Sequence, residues 1–332
     1  MTSKDPKQVF FHVSMVKTVF TFLQRNIFRQ FRDILFIKKH DFKRHEKLIS
    51  QSPKDKVLLS IELNLHVKGG FIKMETIAAN YPGSQPIIVL RKQGSLLASK
   101  YKYYLRKHGT LPFANYYSPN QGEGVLTEED MSFYPKIKML EEYYGKRPLV
   151  LFQEELKKQP MQLIGFLAEY LGVDYDEKAI KIKTVKKSYS EKQLKRVLRH
   201  NRKHPFRGGP YKNEVHKFIY KKARAFWLHW VAYTAAWLPE INKGQDLLPK
   251  QIQDNVNQSF ADDWQACIDY AKQDRELLLY PESLVRTGRI VHNQVSTPKT
   301  NEIPHYTNRI YRGCHFGILY HRKTPAILPQ RT

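Results

Sequence analysis

The sequence VFFHVSMVKTVFTFLQ, residues 9–24, is the clearest indication of how this chain folds. Its first five residues form a short apolar run rich in β-branched and aromatic side chains, which is typical of a buried strand. A loop with Lys17 and Thr18 follows, and apolar residues at helical spacing predict a helix over residues 18–36. Because free amides at the start of a helix point at an anion and a nearby lysine adds charge, this strand–loop–helix unit predicts a phosphate site.

A second strand–loop–helix unit has the sequence PIIVLRKQGSLLAS, residues 86–99. Its strand, residues 86–90, would end at the carboxyl edge of a sheet, where α/β folds bind their ligands. Arg91 follows the strand end, and Ser99 lies eight residues later on the predicted helix 96–107. A guanidinium offers a planar fork to a phosphate and a serine offers a hydroxyl, so Arg91 and Ser99 are candidate phosphate ligands.

Strands and helices alternate over about the first 200 residues. Two further strands are predicted at residues 56–61 and 148–152, because both are short apolar runs. Parallel strands joined by helices form a sheet that is covered on both faces, so the predicted class is α/β with three αβα layers. Further helices are predicted over residues 74–80, 133–144, 159–171, 190–200, 215–238 and 248–271.

Three regions follow from this pattern. Residues 1–210 are predicted to form the α/β domain, and residues 211–286 a helical C-terminal extension packed on it. Residues 287–332 are rich in Asn, Pro, Thr, Arg and Tyr and show little periodicity, which predicts an irregular basic tail.

The charge of the chain favours an anionic partner. Lys and Arg number 56 against 31 Asp and Glu, and the net charge of +25 suits a nucleotide, an acidic glycan, a nucleic acid or an anionic lipid. No recognised nucleic-acid-binding motif is present, so no specific nucleic-acid partner is predicted. Two distant cysteines, Cys267 and Cys314, do not make a disulfide framework or a metal site. Since the first residues lack the long apolar stretch of a signal peptide, a cytoplasmic protein is predicted.

The longest apolar run, residues 225–238, contains three tryptophans. At about 14 residues it is shorter than the ~20 residues that cross a bilayer, and a buried helix is the first interpretation. The alternative is a helix that lies in the membrane interface, since several lysines and Arg224 precede the run and tryptophan favours that depth. A peripheral membrane contact through residues 217–238 is therefore the second interpretation.

The two strand–loop–helix units, residues 9–24 and 86–99, resemble the nucleotide-binding segments of sulfotransferases, which use 3′-phosphoadenosine-5′-phosphosulfate (PAPS). The family's 5′-phosphosulfate loop has roughly the form H-x-G-x-x-K-T-G-T-T-x-L-Q, and its 3′-phosphate site has an Arg and a Ser separated as Arg91 and Ser99 are. Residues 148–172 resemble the family's last sheet strand and the helix after it. The residues that match the loop are His12, Lys17, Thr18, Thr21, Leu23 and Gln24.

The resemblance covers about residues 8–200 and implies the P-loop NTPase-like sulfotransferase fold, with PAPS as co-substrate and no metal. It implies transfer of a sulfuryl group from PAPS to a hydroxyl, or as second choice an amine, of a glycan or small-molecule acceptor. Lys17 would stabilise the leaving 5′-phosphate. Glu62, in an S-x-E often seen after this strand in bacterial members, would be the base, with His66 as second choice. The nucleotide-binding residues would be Lys17, Thr18, Val19, Phe20, Thr21, Arg91 and Ser99.

Two departures from the loop pattern favour an alternative. Val19 stands where the family has glycine, and Phe20 where it has threonine. Glycine permits positive φ and a close approach of the backbone to a phosphate, whereas a β-branched residue in that conformation is strained. The alternative is a catalytically inactive relative that retains Arg91 and Ser99 and acts as an anion- or glycan-binding module.

Overall fold

A parallel sheet of five strands, in the order β2-β3-β1-β4-β5, forms the centre of the described chain. The computed structural model describes residues 7–14, 17–38, 40–62, 68–117, 125–182, 189–205, 213–241 and 244–275, apart from the side chains of Ser14 and residues 68–73. All of them belong to one compact unit. The predicted α/β class with a parallel sheet is confirmed. The strands are β1 (Gln8–Ser14), β2 (Ile34–Lys38), β3 (Lys56–Glu62), β4 (Gln85–Leu90) and β5 (Leu149–Phe152).

Helices lie on both faces of the sheet. The first helix, α1, spans Phe20–Phe22 and continues as a π-helical turn over Leu23–Ile27. Those that follow up to β5 are α2 (His45–Gln51), α3 (Lys68–Asn80), α4 (Gln93–Arg106), α5 (Glu128–Met131) and α6 (Tyr134–Tyr144). After β5 come α7 (Gln153–Lys158), α8 (Pro160–Leu171), α9 (Glu191–Lys203), α10 (Glu214–Thr234), α11 (Lys250–Ser259) and α12 (Ala261–Lys272).

Alternate residues of each strand enter two separate cores, because successive side chains of a strand point to opposite faces. Phe11 and Val13 of β1 join the larger core, which also takes residues from α3, α4, α6 and α12. Phe10, on the opposite face, joins a smaller core formed with α1 and α8. The sheet is therefore the middle of three layers.

The strand order reverses between β1 and β4, which is where open α/β sheets form their ligand crevice. The chain leaves β1 toward β2 on one side of the sheet and leaves β4 toward β5 on the other. In open α/β sheets, ligands bind at such a reversal, outside the carboxyl ends of the strands. The register places Ser14 level with Glu62 of β3 and with Val89 of β4, so the three strands end together at this crevice.

The helix predicted over residues 18–36 is wrong in its second half. Helical structure ends at Ile27, and residues 34–38 form strand β2, which pairs with β3 from Ile34 to Lys38. Asp33, directly before the strand, takes a left-handed conformation (φ 56°) that a continuous helix does not accommodate. A short apolar run has no periodicity that separates a strand from a buried helix, and here the pairing with β3 makes it a strand. The single helix predicted over residues 248–271 is likewise interrupted, at Phe260.

Specific polar bonds join α11 and α12 to the start of α4 and to Phe133, the N-cap of α6. The amide of Gly94 donates to Asn257 Oδ1 at 2.8 Å, and Asp263 Oδ2 accepts from Phe133 N and from Gln93 Nε2, each at 2.9 Å. A Cβ atom at Gly94 would lie 2.2 Å from the Gln253 carbonyl oxygen, so this close approach requires glycine. The boundaries predicted at residues 210 and 286, and the tail 287–332, lie outside the described residues.

The buried helix predicted for residues 225–238 is wrong. Leu228 and Ala232 are buried, but Trp227, Trp230 and Trp237 are all at least half exposed. The helix packs on the protein through a narrow face that contains Leu228 and Ala232, and its aromatic residues face solvent. None of the helices in the described part of the chain combines the length and the hydropathy of a bilayer-spanning segment.

Candidate functional site

The loop after β1 places its left-handed residue at Lys17. Lys17 has φ 75°, whereas Val19, the N-cap of α1, has φ −71° and ψ 19°. Val19 therefore occupies a conformation that any L-residue adopts, and the strain expected from a β-branched residue at this position does not arise. A non-glycine residue with positive φ is uncommon, and such residues cluster at functional sites.

The side chains of this loop divide into an inner and an outer group. Phe20 is buried and stacks on His12, with ring centroids 5.6 Å apart, and Val19 packs against the smaller core. Lys17 and Thr18 are half-buried, and Thr21 is exposed. A ligand at the crevice would thus meet the side chains of Lys17, Thr18 and Thr21, and only the backbone of Phe20.

Arg91 joins the loop after β4 to the loop after β1. Its Nη1 donates to the Lys17 carbonyl oxygen at 3.1 Å, and its Nε donates to Ser95 Oγ at 2.8 Å. Burial lowers the pKa of the Arg91 guanidinium, and the carboxylate of Glu154 acts in the opposite direction. Arginine remains charged despite this shift, so a planar cation lies in the crevice between β1 and β4.

One face of α4 lines the same crevice. Ser95, Ser99 and Tyr103 are spaced four residues apart and therefore lie in a row on the helix. Arg91 contacts Ser95 at one end of the row, and the Lys17 ammonium lies 3.7 Å from the centroid of the Tyr103 ring at the other. Ser99 thus lies between the two cations. Ser95 and Tyr103 were not predicted as site residues, although their spacing of four residues from Ser99 is the signal that identifies both.

The end of β3 is fixed to α1 by polar contacts. Gln24 Nε2 donates to the Ser60 carbonyl oxygen at 2.9 Å and to Ser60 Oγ at 3.1 Å. Two residues later, half-buried Glu62 ends the strand, level with the last residue of β1. The structure therefore places the predicted base at the edge of the sheet that carries Lys17 and Arg91. The second candidate base, His66, lies outside the described residues.

Within the described ranges, no group of three or more His, Cys, Asp and Glu residues has the arrangement of a metal site. The charged groups that the structure places at the crevice are the cations of Lys17 and Arg91 and the carboxylates of Glu62 and Glu154.

His12 lies beneath the loop after β1 and makes the stability of the folded protein depend on pH. The ring is fully buried between Phe20 and Phe28, and its Nδ1 lies 2.7 Å from Ser60 Oγ. Burial lowers the pKa of His12 to about 3. As the pH falls, His12 therefore becomes protonated in the unfolded chain before it does so in the folded one. The contribution of His12 to the free energy of unfolding is fully present above pH ~6.5 and is lost as the pH decreases toward 3.

We expect replacement of His12 by glutamine to flatten the acid side of the stability profile. Between pH 6.5 and 5, protonation of His12 in the unfolded chain should lower the free energy of unfolding of the wild type by about 2 kcal/mol, at about 1.4 kcal/mol per pH unit. Urea unfolding of wild type and His12→Gln at several pH values measures the two slopes. His108, whose pKa burial lowers to about 4, keeps its own contribution in both proteins. Equal slopes would contradict the assignment to His12.

The fold and the site together define an α/β protein with a basic crevice at a topological switch point. No protein-family model and no curated protein matches the chain. Among solved structures, a sulfotransferase from Alicyclobacillus acidocaldarius is similar, with a TM-score of 0.40 and 14% identity over 58% of this chain and 92% of that chain. A mouse sulfotransferase complexed with PAP is similar with a TM-score of 0.39 and 16% identity, over 76% of this chain and 89% of that chain. The structural neighbours of this chain thus include sulfotransferases.

Proposed function

We propose that this protein binds PAPS in the crevice between β1 and β4 and transfers its sulfuryl group to an acceptor hydroxyl. One observation carries the proposal: Arg91 donates a hydrogen bond to the carbonyl oxygen of Lys17, which brings the two predicted phosphate ligands into one site. PAPS has a 5′-phosphosulfate at one end and a 3′-phosphate at the other. It therefore requires two cationic positions, and a crevice with one lysine and one arginine provides them.

The row of side chains on α4 supports this orientation of the nucleotide. Arg91 would bind the 3′-phosphate together with the hydroxyls of Ser95 and Ser99, which lie one turn apart. Lys17 would bind the 5′-phosphate after leaving the ring of Tyr103. Loss of that cation–π contact costs about 0.5–1 kcal/mol, and a charge-assisted hydrogen bond to phosphate offsets it.

The proposed reaction is an in-line displacement at sulfur. The acceptor oxygen forms a bond to sulfur while the bond from sulfur to the 5′-phosphate oxygen breaks, and that oxygen keeps the electron pair. Lys17 would stabilise the developing charge on this oxygen, since positioning and electrostatics dominate such transfers. The acceptor proton would pass to the carboxylate of Glu62, at the neighbouring strand end. The acceptor we propose is a hydroxyl of a glycan or of a small molecule.

A binding module without transfer activity is the second candidate. It is favoured by Phe20, which replaces a threonine hydroxyl of the family pattern and turns into the core against His12. Val19 no longer favours it, because its backbone conformation is unstrained. Both candidate functions require the anion site at Arg91, and they differ only in whether a sulfuryl group is transferred after the nucleotide binds.

Replacement of Arg91 by alanine should weaken binding of 3′-phosphoadenosine-5′-phosphate by about tenfold to a hundredfold, because it removes charge-assisted hydrogen bonds. Isothermal titration calorimetry measures this affinity. Arg91→Lys should lie between the two, since it keeps the charge and loses the fork. Arg32→Ala is the matched control, because Arg32 is exposed and precedes β2 at the opposite edge of the sheet. Folded wild type that does not bind the nucleotide would overturn the proposal.

Glu62→Gln separates the two candidate functions. If the protein is an enzyme, this variant keeps its affinity for 3′-phosphoadenosine-5′-phosphate and loses about a hundredfold or more in transfer rate, the usual contribution of a general base. Transfer is measured with labelled PAPS against a panel of glycans and small hydroxyl acceptors. Nucleotide binding with no transfer to any acceptor would support the binding module instead.

A further inference from the structure

Helix α10 presents a row of large apolar side chains to solvent. Val215, Ile219, Phe226, Trp230 and Tyr233 are 65%, 58%, 71%, 50% and 60% exposed. Their spacing of four, seven, four and three residues places them in a single stripe along the helix. Because an α-helix rises 1.5 Å per residue, this stripe is about 27 Å long.

The stripe lies opposite the face by which α10 is held. Leu228, Ala232 and the C-cap Ala235 are buried, and the helix packs against α9. An amphipathic helix of a water-soluble domain normally turns its apolar residues to the core, and α10 does the reverse. The stripe continues beyond the helix, where Trp237 is 81% exposed, and beside it Trp227 stacks on Trp230 at 5.5 Å between centroids.

The exposed area is larger than a monomeric protein normally leaves uncovered. An aromatic side chain buries about 150–250 Å² when covered, so several exposed in one stripe exceed the few hundred Å² of an ordinary surface patch. Patches of this kind mark contact sites for a partner or a membrane. We therefore define residues 215–238 of α10 and its C-terminal extension as the aromatic surface.

Positive charge in the same helix indicates the partner of the aromatic surface. By helical spacing Lys222 lies beside the stripe, whereas Lys217, Lys221 and Arg224 lie on the other faces of the first half of α10, and the whole chain carries +25. A second copy of this chain would bring the same cations against each other. Anionic lipid headgroups attract them instead, while tryptophan and tyrosine favour the depth of the headgroup boundary. We propose that the aromatic surface lies flat in the interface of an anionic lipid bilayer.

Tryptophan fluorescence reports this insertion directly. The chain has four tryptophans, and Trp227, Trp230 and Trp237 belong to the aromatic surface. The fourth, Trp264, packs against Phe152 in the core and supplies a constant background. Vesicles of phosphatidylcholine with phosphatidylglycerol should shift the emission to shorter wavelength, and brominated acyl chains should quench it. Vesicles of phosphatidylcholine alone should bind at least tenfold more weakly.

The double variant Phe226→Gln, Trp230→Gln tests the surface itself. Both side chains project from the stripe, and glutamine is a good helix former, so the fold is expected to persist. Co-sedimentation with the anionic vesicles should fall at least tenfold. Ile182→Gln is the matched control, because Ile182 is 48% exposed and lies outside the aromatic surface. Lys221→Gln with Lys222→Gln should weaken binding by about fivefold per lysine.

Three outcomes would overturn the proposal. One is wild type that does not bind the anionic vesicles. Another is a double variant that binds them as tightly as wild type, which would leave charge alone as the cause. The third is wild type that forms dimers in solution while the double variant is monomeric, measured by light scattering, because the surface would then cover a second copy.

Discussion

In the proposed sulfuryl transfer, Lys17→Met should lower the rate constant by about a hundredfold to a thousandfold, the usual effect of removing a group that stabilises developing charge. Lys17 is the cation that the loop after β1 supplies, and its ammonium lies against Tyr103 at the edge of the crevice. The charge on the 5′-phosphate oxygen increases as the bond to sulfur breaks. The effect should therefore appear mainly in kcat, and less in KM for PAPS.

Lys107→Met is the control for Lys17→Met. Lys107 Nζ lies 5.5 Å from the centroid of the same Tyr103 ring, at the end of α4. It is not part of the loop after β1, so its loss should change kcat by no more than a few fold, as for an exposed charge near a site. Steady-state kinetics with labelled PAPS measures both variants. Equal effects of the two substitutions would show that only the local charge matters, and would contradict the role of Lys17.

Arg275→Met should lower the free energy of unfolding by about 3–5 kcal/mol, because it leaves a carboxylate in the core without its counter-ion. Arg275 donates from Nη1 to Glu155 Oε1 at 2.8 Å and from Nη2 to Oε2 at 2.5 Å. It also donates from Nε and Nη2 to the Val150 carbonyl oxygen, at 3.2 and 2.9 Å. Both side chains are almost fully buried. The pair holds the segment after α12 against β5 and α7.

Urea denaturation measures this loss, and two further variants make the result specific. Arg147→Met removes a neighbouring pair with Asp274 in which both side chains are about one-third exposed, together with a hydrogen bond to the Tyr270 carbonyl oxygen and a contact with the Tyr270 ring. It should cost about 1–2 kcal/mol, less than the loss of the buried pair. The double variant Arg275→Met, Glu155→Leu removes both charges and should recover most of the lost stability. If Arg275→Met is no more destabilising than Arg147→Met, the buried pair does not hold this segment in place.

Local pattern predicted much of the fold correctly. Strands β1, β3, β4 and β5 are continuous apolar runs, because a parallel sheet covered on both faces buries both sides of each strand. Strand β2 was missed, since its apolar residues are equally compatible with helical spacing until pairing with β3 is known.

In the candidate site, too, the residues were predicted from local pattern, whereas their contacts depend on distant segments. Lys17 and Arg91 were predicted from their positions after strands, and Glu62 from the resemblance to sulfotransferases. The structure places all three at one edge of the sheet. The contact of Arg91 with the Lys17 carbonyl oxygen spans 74 positions of sequence, and no local pattern contains it. Ser95 and Tyr103 enter the site only because α4 lies along the loop after β1.

Local sequence pattern was sufficient to predict the α/β class, four of the five described strands and the candidate ligands Lys17 and Arg91, because the apolar or polar character of each short segment is encoded locally. Tertiary packing set the remaining features. It moved the left-handed position from Val19 to Lys17, paired Arg275 with Glu155, and turned the tryptophans of α10 to solvent. In each case the outcome depends on which distant surfaces pack together, and the spacing of residues within one segment carries no information about that.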